Sequence, residues 1–256
     1  MTTNADPRQN ALLAALPDVD LARLLPRLEL VPMPAEWAVY EAGGRPTYAY
    51  FPTSSVVSLL HVMEDGVSAE VAVCGNDGLV GFALFMGGES TSSRAMVIVA
   101  GYGYRLRADI LKAEFSRSPT LQRVLLRYTQ ALLTQMAQTA ACNRRHSVEQ
   151  HFCRFLLLGL DRLPSNALSM THELIANILG VRREGVTEAA GKLQDAGVIK
   201  YRRGHITVLS RSKLEARACE CYTAVKSECD RLLCSERQRG TGWAQPVAGG
   251  AQYSLS

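Results

Sequence analysis

The stretch ELIANILGVRREGVTEAAGKLQDAGVI, Glu173 to Ile199, decides the reading of this chain. Leu174, Ile175, Ile178 and Leu179 recur as the apolar side of one short helix, and Thr171 stands where an N-cap belongs. Gly180 supplies the left-handed residue that ends such a helix. Ala176 is small enough to let a second helix cross closely, and Val181 plugs the corner. Val186, Ala189, Ala190 and Leu193 then face inward from the second helix. This pattern describes a helix-turn-helix.

The outward face of the second helix collects Arg183, Glu184, Thr187, Glu188 and Gly191. Arginines at a helix start oppose the macrodipole, at a cost of about 0.3–1 kcal/mol. A bidentate contact from arginine to guanine offers about 1–3 kcal/mol of discrimination, and a glutamate accepts from cytosine N4. Base reading therefore outweighs the local penalty, and double-stranded DNA is the expected partner. Arg182, Thr171, His172, Lys192, Arg202, Arg203 and His205 suit phosphate contacts, which position a protein without reading sequence.

Directly after this segment, IKYRRGHITVL gives two β-prone runs around Arg203-Gly204, the wing of a winged helix. Charge follows the same division. Residues 1–142 carry 11 Lys+Arg against 13 Asp+Glu, or −2, and residues 143–256 carry 17 against 11, or +6. A basic second half suits a polyanionic partner.

The rest of the 256 residues reads as follows. Residues 1–10 are polar and expected to be loose, and 11–30 place leucines at helical spacing with breaks at Pro17 and Pro26. From about 31 to 107, short runs rich in Val, Tyr and Phe alternate with Gly43-Gly44, Asp65-Gly66, Asp77-Gly78 and Gly87-Gly88, as in an antiparallel β-roll. A short helix over 109–118 precedes a long one, opened by Pro119 and reaching about Ala141. Along it Leu121, Leu125, Tyr128, Leu132, Gln135 and Thr139 alternate by four and three, a seam expected to join two copies of the chain; packing on the roll is the alternative. Asn143 to His146 form a polar hinge, and Ser210 caps a last helix to about Leu233. The domains expected are a sensor roll at 11–118, a dimerisation helix at 119–142, a winged helix at 147–233 and a flexible tail at 236–256.

The odd set of cysteines (Cys74, Cys142, Cys153, Cys219, Cys221, Cys229 and Cys234) argues against a disulfide framework, and no CxxC pair is present. Leu214, Ala218, Cys221, Val225 and Leu232 recur at helical spacing, which makes Cys221 a small apolar core residue; no metal and no cofactor are expected. No nucleophile elbow, HExxH, P-loop or dinucleotide fingerprint is present, so an enzyme is not expected. No apolar run is long enough to cross a bilayer and the N-terminus lacks an export pattern, so a cytoplasmic location without membrane contact is the expectation.

The order of parts, roll, long helix, hinge and winged helix, resembles the Crp/Fnr superfamily of bacterial transcription regulators over roughly residues 11–233. The residues that carry the resemblance are LGVRREGVTEAAGKLQDAGVI, IKYRRGHITVL and GNDGLVGFALFMGG. The family segment runs roughly G-[CV]-[ST]-R-E-T-V-x-R. Arg183 and Glu184 match its Arg-Glu pair, while Gly185 stands for the usual Thr or Ser and Glu188 for the later arginine. The resemblance implies an α+β chain with an N-terminal cyclic-nucleotide-binding-like antiparallel β-roll, a dimerisation helix and a C-terminal winged helix-turn-helix. It implies a homodimer on a roughly palindromic site, with RNA polymerase a further candidate partner. An effector pocket in the roll would use Gly81, Phe82, Ser92, Ser93 and Arg94. Phe82 replaces the carboxylate that meets the ribose of a cyclic nucleotide, and Arg94 sits one residue late, so cyclic AMP is not the expected effector. A second-messenger dinucleotide, a fatty or aromatic molecule, a haem on His61, or no ligand stay open. The alternative function is a ligand-sensing module that acts through protein contacts.

Overall fold

The computed structural model describes residues 6–64 and 66–233. The first described residues are already pinned. Asn10 is fully buried and its side chain accepts from Leu12 N and Leu13 N, capping α1 (Ala11–Ala14). The same amide donates to Pro52 O at 2.9 Å and Gly78 O at 2.8 Å. Residues 6–10 are therefore not the loose lead-in that their polarity suggests. After α2 (Asp18–Leu24), seven strands follow: β1 (Glu29–Met33), β2 (Ala38–Tyr40), β3 (Tyr48–Pro52), β4 (Val56–Val62), β5 (Ser68–Cys74), β6 (Ser93–Val99) and β7 (Gly101–Arg107), with α3 (Ala83–Met86) between β5 and β6. They form two antiparallel sheets, ordered β1-β7-β3 and β2-β6-β4-β5, that close on Phe51, Leu59, Val97 and Leu106.

The alternation of a strand shows how the four-stranded sheet is covered on both faces. Along β4, Val57 and Leu59 enter the roll core, while Val56 and Leu60 enter the core of the C-terminal domain. Val73 on β5 and Ile98 on β6 join that second core. One sheet thus separates two hydrophobic cores.

α4 (Ala108–Arg117) leads to α5 (Pro119–Arg145), which has Pro119 in its first turn and Ser118 as its cap. The expected seam residues Leu121, Leu125, Tyr128, Leu132, Gln135 and Thr139 are all buried within the single chain. Leu121, Leu125, Tyr128 and Leu132 belong to the roll core, and Gln135, with its amide turned, exchanges two hydrogen bonds with the backbone of Val73. The stripe packs on the roll, as the alternative reading allowed. A different stripe of α5 faces outward: Leu126, Gln130, Leu133, Ala137 and Ala140 are exposed and alternate by four and three. The periodicity read from the sequence picks out the first stripe, and spacing alone does not say which face the roll covers.

The C-terminal domain comprises α6 (Val148–Leu160), β8 (Ala167–Ser169), α7 (His172–Leu179), α8 (Arg183–Asp195), β9 (Ile199–Arg202), β10 (His205–Val208), α9 (Arg211–Glu215) and α10 (Glu220–Leu233). Ser147 and Gln150 form a capping box that starts α6, and His151 to Leu160 are all buried. The wing has three strands, ordered β8-β10-β9, one more than the hairpin read from sequence. The single last helix expected is two. Ser210 caps α9, the chain breaks, and α10 then packs alongside α5, where Arg127 donates to Arg231 O. The expected tail at 236–256 and Cys234 lie outside the described residues.

The two halves meet at the loop Gly75-Asn76-Asp77-Gly78. A β-carbon on Gly75 would lie 2.7 Å from Arg162 Cβ, and one on Gly78 would lie 2.6 Å from the Tyr128 ring. Arg162 is buried and donates to Asp77 through Nε at 3.0 Å and its terminal nitrogen at 2.7 Å, with a further bond to Leu158 O. Removing one partner of such a pair strands a charge, at about 3–5 kcal/mol. Asp77→Ala is therefore expected to destabilise the chain by about that amount in denaturant titration. The double change Asp77→Ala with Arg162→Leu should recover much of the loss.

Candidate nucleic-acid interface

α7 starts with Thr171, whose Oγ1 accepts from Leu174 N at 3.1 Å, and stops at Gly180, whose φ of 65° and ψ of 35° are left-handed. α8 begins after Arg182, which gives no side-chain cap. Val186, Ala189, Ala190 and Leu193 are buried against α7 and α6. On the opposite side Arg182, Arg183, Glu184, Thr187, Glu188 and Lys192 are exposed. The structure thus places all of these expected contact residues on one accessible edge, with Thr171 beside them.

Several contacts set how this edge is presented. His172 Nδ1 meets Thr187 Oγ1 at 3.1 Å, and its ring stacks on Tyr201 at 4.1 Å between centroids. Burial, then the nearby Arg183 charge, holds the His172 imidazole below its ordinary pKa, so it serves as a neutral spacer joining α7, α8 and the wing. Thr187 also returns its hydroxyl to Arg183 O at 3.0 Å. Glu188 pairs with Lys192 at 2.8 Å, one turn along the exposed face. Arg183 Nε lies 3.9 Å from Glu173, a loose contact that a bidentate partner can replace. At the wing tip, Arg202 opposes His205 across a two-residue turn of Arg203 and Gly204, both with positive φ. Glycine suits that geometry and arginine does not. Arg203, at the turn, and Arg202 beside it are both exposed.

Residues 150–217 match the family model described as the Crp-like helix-turn-helix domain. Solved structures of the same fold include a Crp/Fnr-family transcriptional regulator from Eubacterium rectale, 18% identical, covering 82% of this chain and 98% of that one with a TM-score of 0.64. FixK2 from Bradyrhizobium japonicum is 17% identical, covering 75% of this chain and 98% of its own, with a TM-score of 0.63. The c-di-GMP-responsive global regulator CLP of Xanthomonas campestris is 17% identical, covering 76% and 100%, with a TM-score of 0.61. No curated protein matches the chain. The chain carries a Crp-like helix-turn-helix domain on a Crp/Fnr fold.

The roll of this Crp/Fnr fold holds a cavity of about 600 Å3 against α5. Of the expected pocket residues, Phe82, Ser92 and Ser93 line it, together with His61, Glu70, Met136 and Thr139. Gly81 and Arg94 do not. Ser93 and Ala95 turn inward on β6, so Arg94 turns out, where its Nε lies 3.3 Å from Glu41. The one-residue offset read in the sequence has the consequence that strand alternation requires. Among the described residues no Lys or Arg lines the cavity, and Glu70 is buried in its wall, accepting from Ser58 Oγ at 2.7 Å. A phosphate would find no lysine or arginine there among the described residues. No helix among the described residues is long and apolar enough to cross a membrane.

Burial raises the Glu70 carboxyl above its ordinary pKa; the Ser58 hydrogen bond and the charges of Arg154 and Arg162 oppose this. A folded value above the unfolded one gives stability that is complete in acid and is lost as pH rises through the folded value. Glu70→Gln is therefore expected to match the parent chain near pH 4 and to melt higher at pH 7–8. Each kcal/mol gained moves Tm by about 2–4 °C in a chain of this size. Melting curves across that range check it, and a lower Tm for the variant at pH 8 would contradict the assignment.

Proposed function

We propose that this chain is a sequence-specific transcription regulator that binds double-stranded DNA as a homodimer, with α8 in the major groove. The observation that carries the reading is the accessible edge of α8, polar and opened by Arg182 and Arg183, on a helix whose other side is packed. Arg183 and Glu184 are the base readers, placed near the helix N-terminus where base edges are reached. Arg182, Lys192, Arg202 and Arg203 are the phosphate contacts, with Thr171 supporting them. Glu188, already paired with Lys192, presents an acceptor rather than the family's second arginine, so the half-site differs from the usual one. RNA polymerase is the partner through which bound regulator would act.

The dimer contact is the outward stripe of α5, Leu126, Gln130, Leu133, Ala137 and Ala140, rather than the stripe buried on the roll. Leu126 and Leu133 are 48% and 60% exposed, large apolar side chains one heptad apart. The effector, if the cavity takes one, is an uncharged or weakly polar molecule, because Glu70 and the absence of lysine or arginine from the described lining disfavour an anion.

Selection from a random DNA pool is expected to return a two-fold symmetric motif with half-sites about one helical turn apart. Binding should weaken steeply with salt. Arg183→Ala should cost about 1–3 kcal/mol at one base position and relax specificity there. Arg203→Asn should weaken binding evenly across sequences and lower the salt slope by about 1. No enriched motif, with melting curves showing folded protein, would overturn the reading and favour a module that works through protein contacts.

Sedimentation separates the two stripes of α5. Leu133→Glu should yield folded monomers with weakened operator binding. Leu125→Ala should leave the dimer assembled but lower stability by about 2–5 kcal/mol, the usual loss for a buried leucine.

A further inference from the structure

Four potential metal ligands from two distant segments meet behind the hinge. Cys142 lies in the last turn of α5 and His146 caps that helix; Cys219 precedes α10 and Cys221 lies in its first turn. Their ligand atoms all fall within 4.8 Å of one another. We propose that Cys142, His146, Cys219 and Cys221 bind one zinc-class divalent ion in a closed tetrahedral site.

The spacing is that of a single ion. With Zn–S near 2.3 Å and Zn–N near 2.0–2.1 Å, tetrahedral geometry puts two sulfurs about 3.8 Å apart and a sulfur and nitrogen about 3.6 Å apart. Cys142 Sγ and Cys219 Sγ are 3.5 Å apart, and Cys221 Sγ and His146 Nδ1 are 3.6 Å apart. An iron–sulfur cluster spreads its cysteines over several iron atoms and needs a wider cage than this.

The surroundings suit a metal better than they suit a hydrophobic core. Cys142, Cys219 and Cys221 are buried in a small cluster of their own, separate from the two apolar cores. Helical periodicity correctly marks Cys221 as buried, but its neighbours are sulfur and imidazole rather than aliphatic carbon. His146 turns Nδ1 to Cys221 and Nε2 to Glu220 Oε2 at 3.2 Å. A carboxylate on the outer nitrogen of a ligating histidine fixes its tautomer and strengthens it as a ligand. Four protein ligands leave no open position, so the ion is structural: it fastens the end of α5 to the start of α10, across the hinge at His146 and Ser147. The inference does not depend on the DNA-binding reading.

The test uses the full chain, purified under reducing conditions, stripped with chelator and titrated with Co2+ and then Zn2+. Binding of one Co2+ per chain is expected, with the intense visible bands and thiolate charge-transfer absorption of tetrahedral sulfur-rich cobalt, both abolished by one equivalent of Zn2+. Cys219→Ser and Cys221→Ser should lose those bands, while Cys153→Ser and Cys229→Ser keep them, with far-ultraviolet circular dichroism confirming that each is folded. Glu220→Gln should retain the tetrahedral spectrum and weaken affinity about 10- to 100-fold, as expected for an outer-shell partner. A weak octahedral spectrum would overturn the proposal. So would unchanged binding in the Cys142→Ser, Cys219→Ser double variant, or a folded parent chain that binds no Co2+ and only closes a Cys142–Cys219 disulfide under mild oxidant.

Discussion

Arg162 and Asp77 are a pair of charges that neither half of the chain can leave unpartnered. The guanidinium is buried at the end of α6, and its counter-charge comes from the turn after β5. Desolvating both is expensive, and the loss is limited only when the fork of the arginine meets both carboxylate oxygens. The pair therefore ties the position of α6 to the roll, and with it everything that hangs from α6. Gly75 and Gly78 permit the close approach, since any β-carbon there would run into Arg162 or Tyr128.

The sheet carrying β4, β5 and β6 works within the same constraint. Because alternate residues serve two different cores, it is both the wall of the roll and the floor of the C-terminal domain. Gly180, the corner of the helix-turn-helix, lies over Ala69 of β5, and Ser68 reaches the carbonyl of Asn177. The cavity beside Glu70 lies on the same strand. A change in the cavity wall is thus one strand away from the helix-turn-helix, a shorter mechanical path than the long helix alone would offer.

The spacing of Leu174, Ile175, Ile178 and Leu179, the Gly180 corner, and the Arg203-Gly204 turn were each legible, because they express local conformational rules that need no partner. The offset of Arg94 was legible for the same reason: strand alternation is local. The side of α5 that meets the roll was not, since two heptad stripes coexist on one helix and only docking chooses between them. Asn10 carried an overlooked signal, an N-cap residue directly before an apolar helical run. Glu70 carried none, because an isolated glutamate in a β-prone run reads as a solvent-facing residue.

By itself the sequence determined the order of the parts, the corner and wing of the Crp-like domain, and the outward edge of α8, because turn chemistry, capping and periodicity act over a few residues. Only the tertiary structure decided which stripe of α5 is free, that Glu70 is buried beside the cavity, and that Cys142 and His146 meet Cys219 and Cys221. Those outcomes rest on contacts between segments far apart in the chain, and packing, not local propensity, brings such segments together.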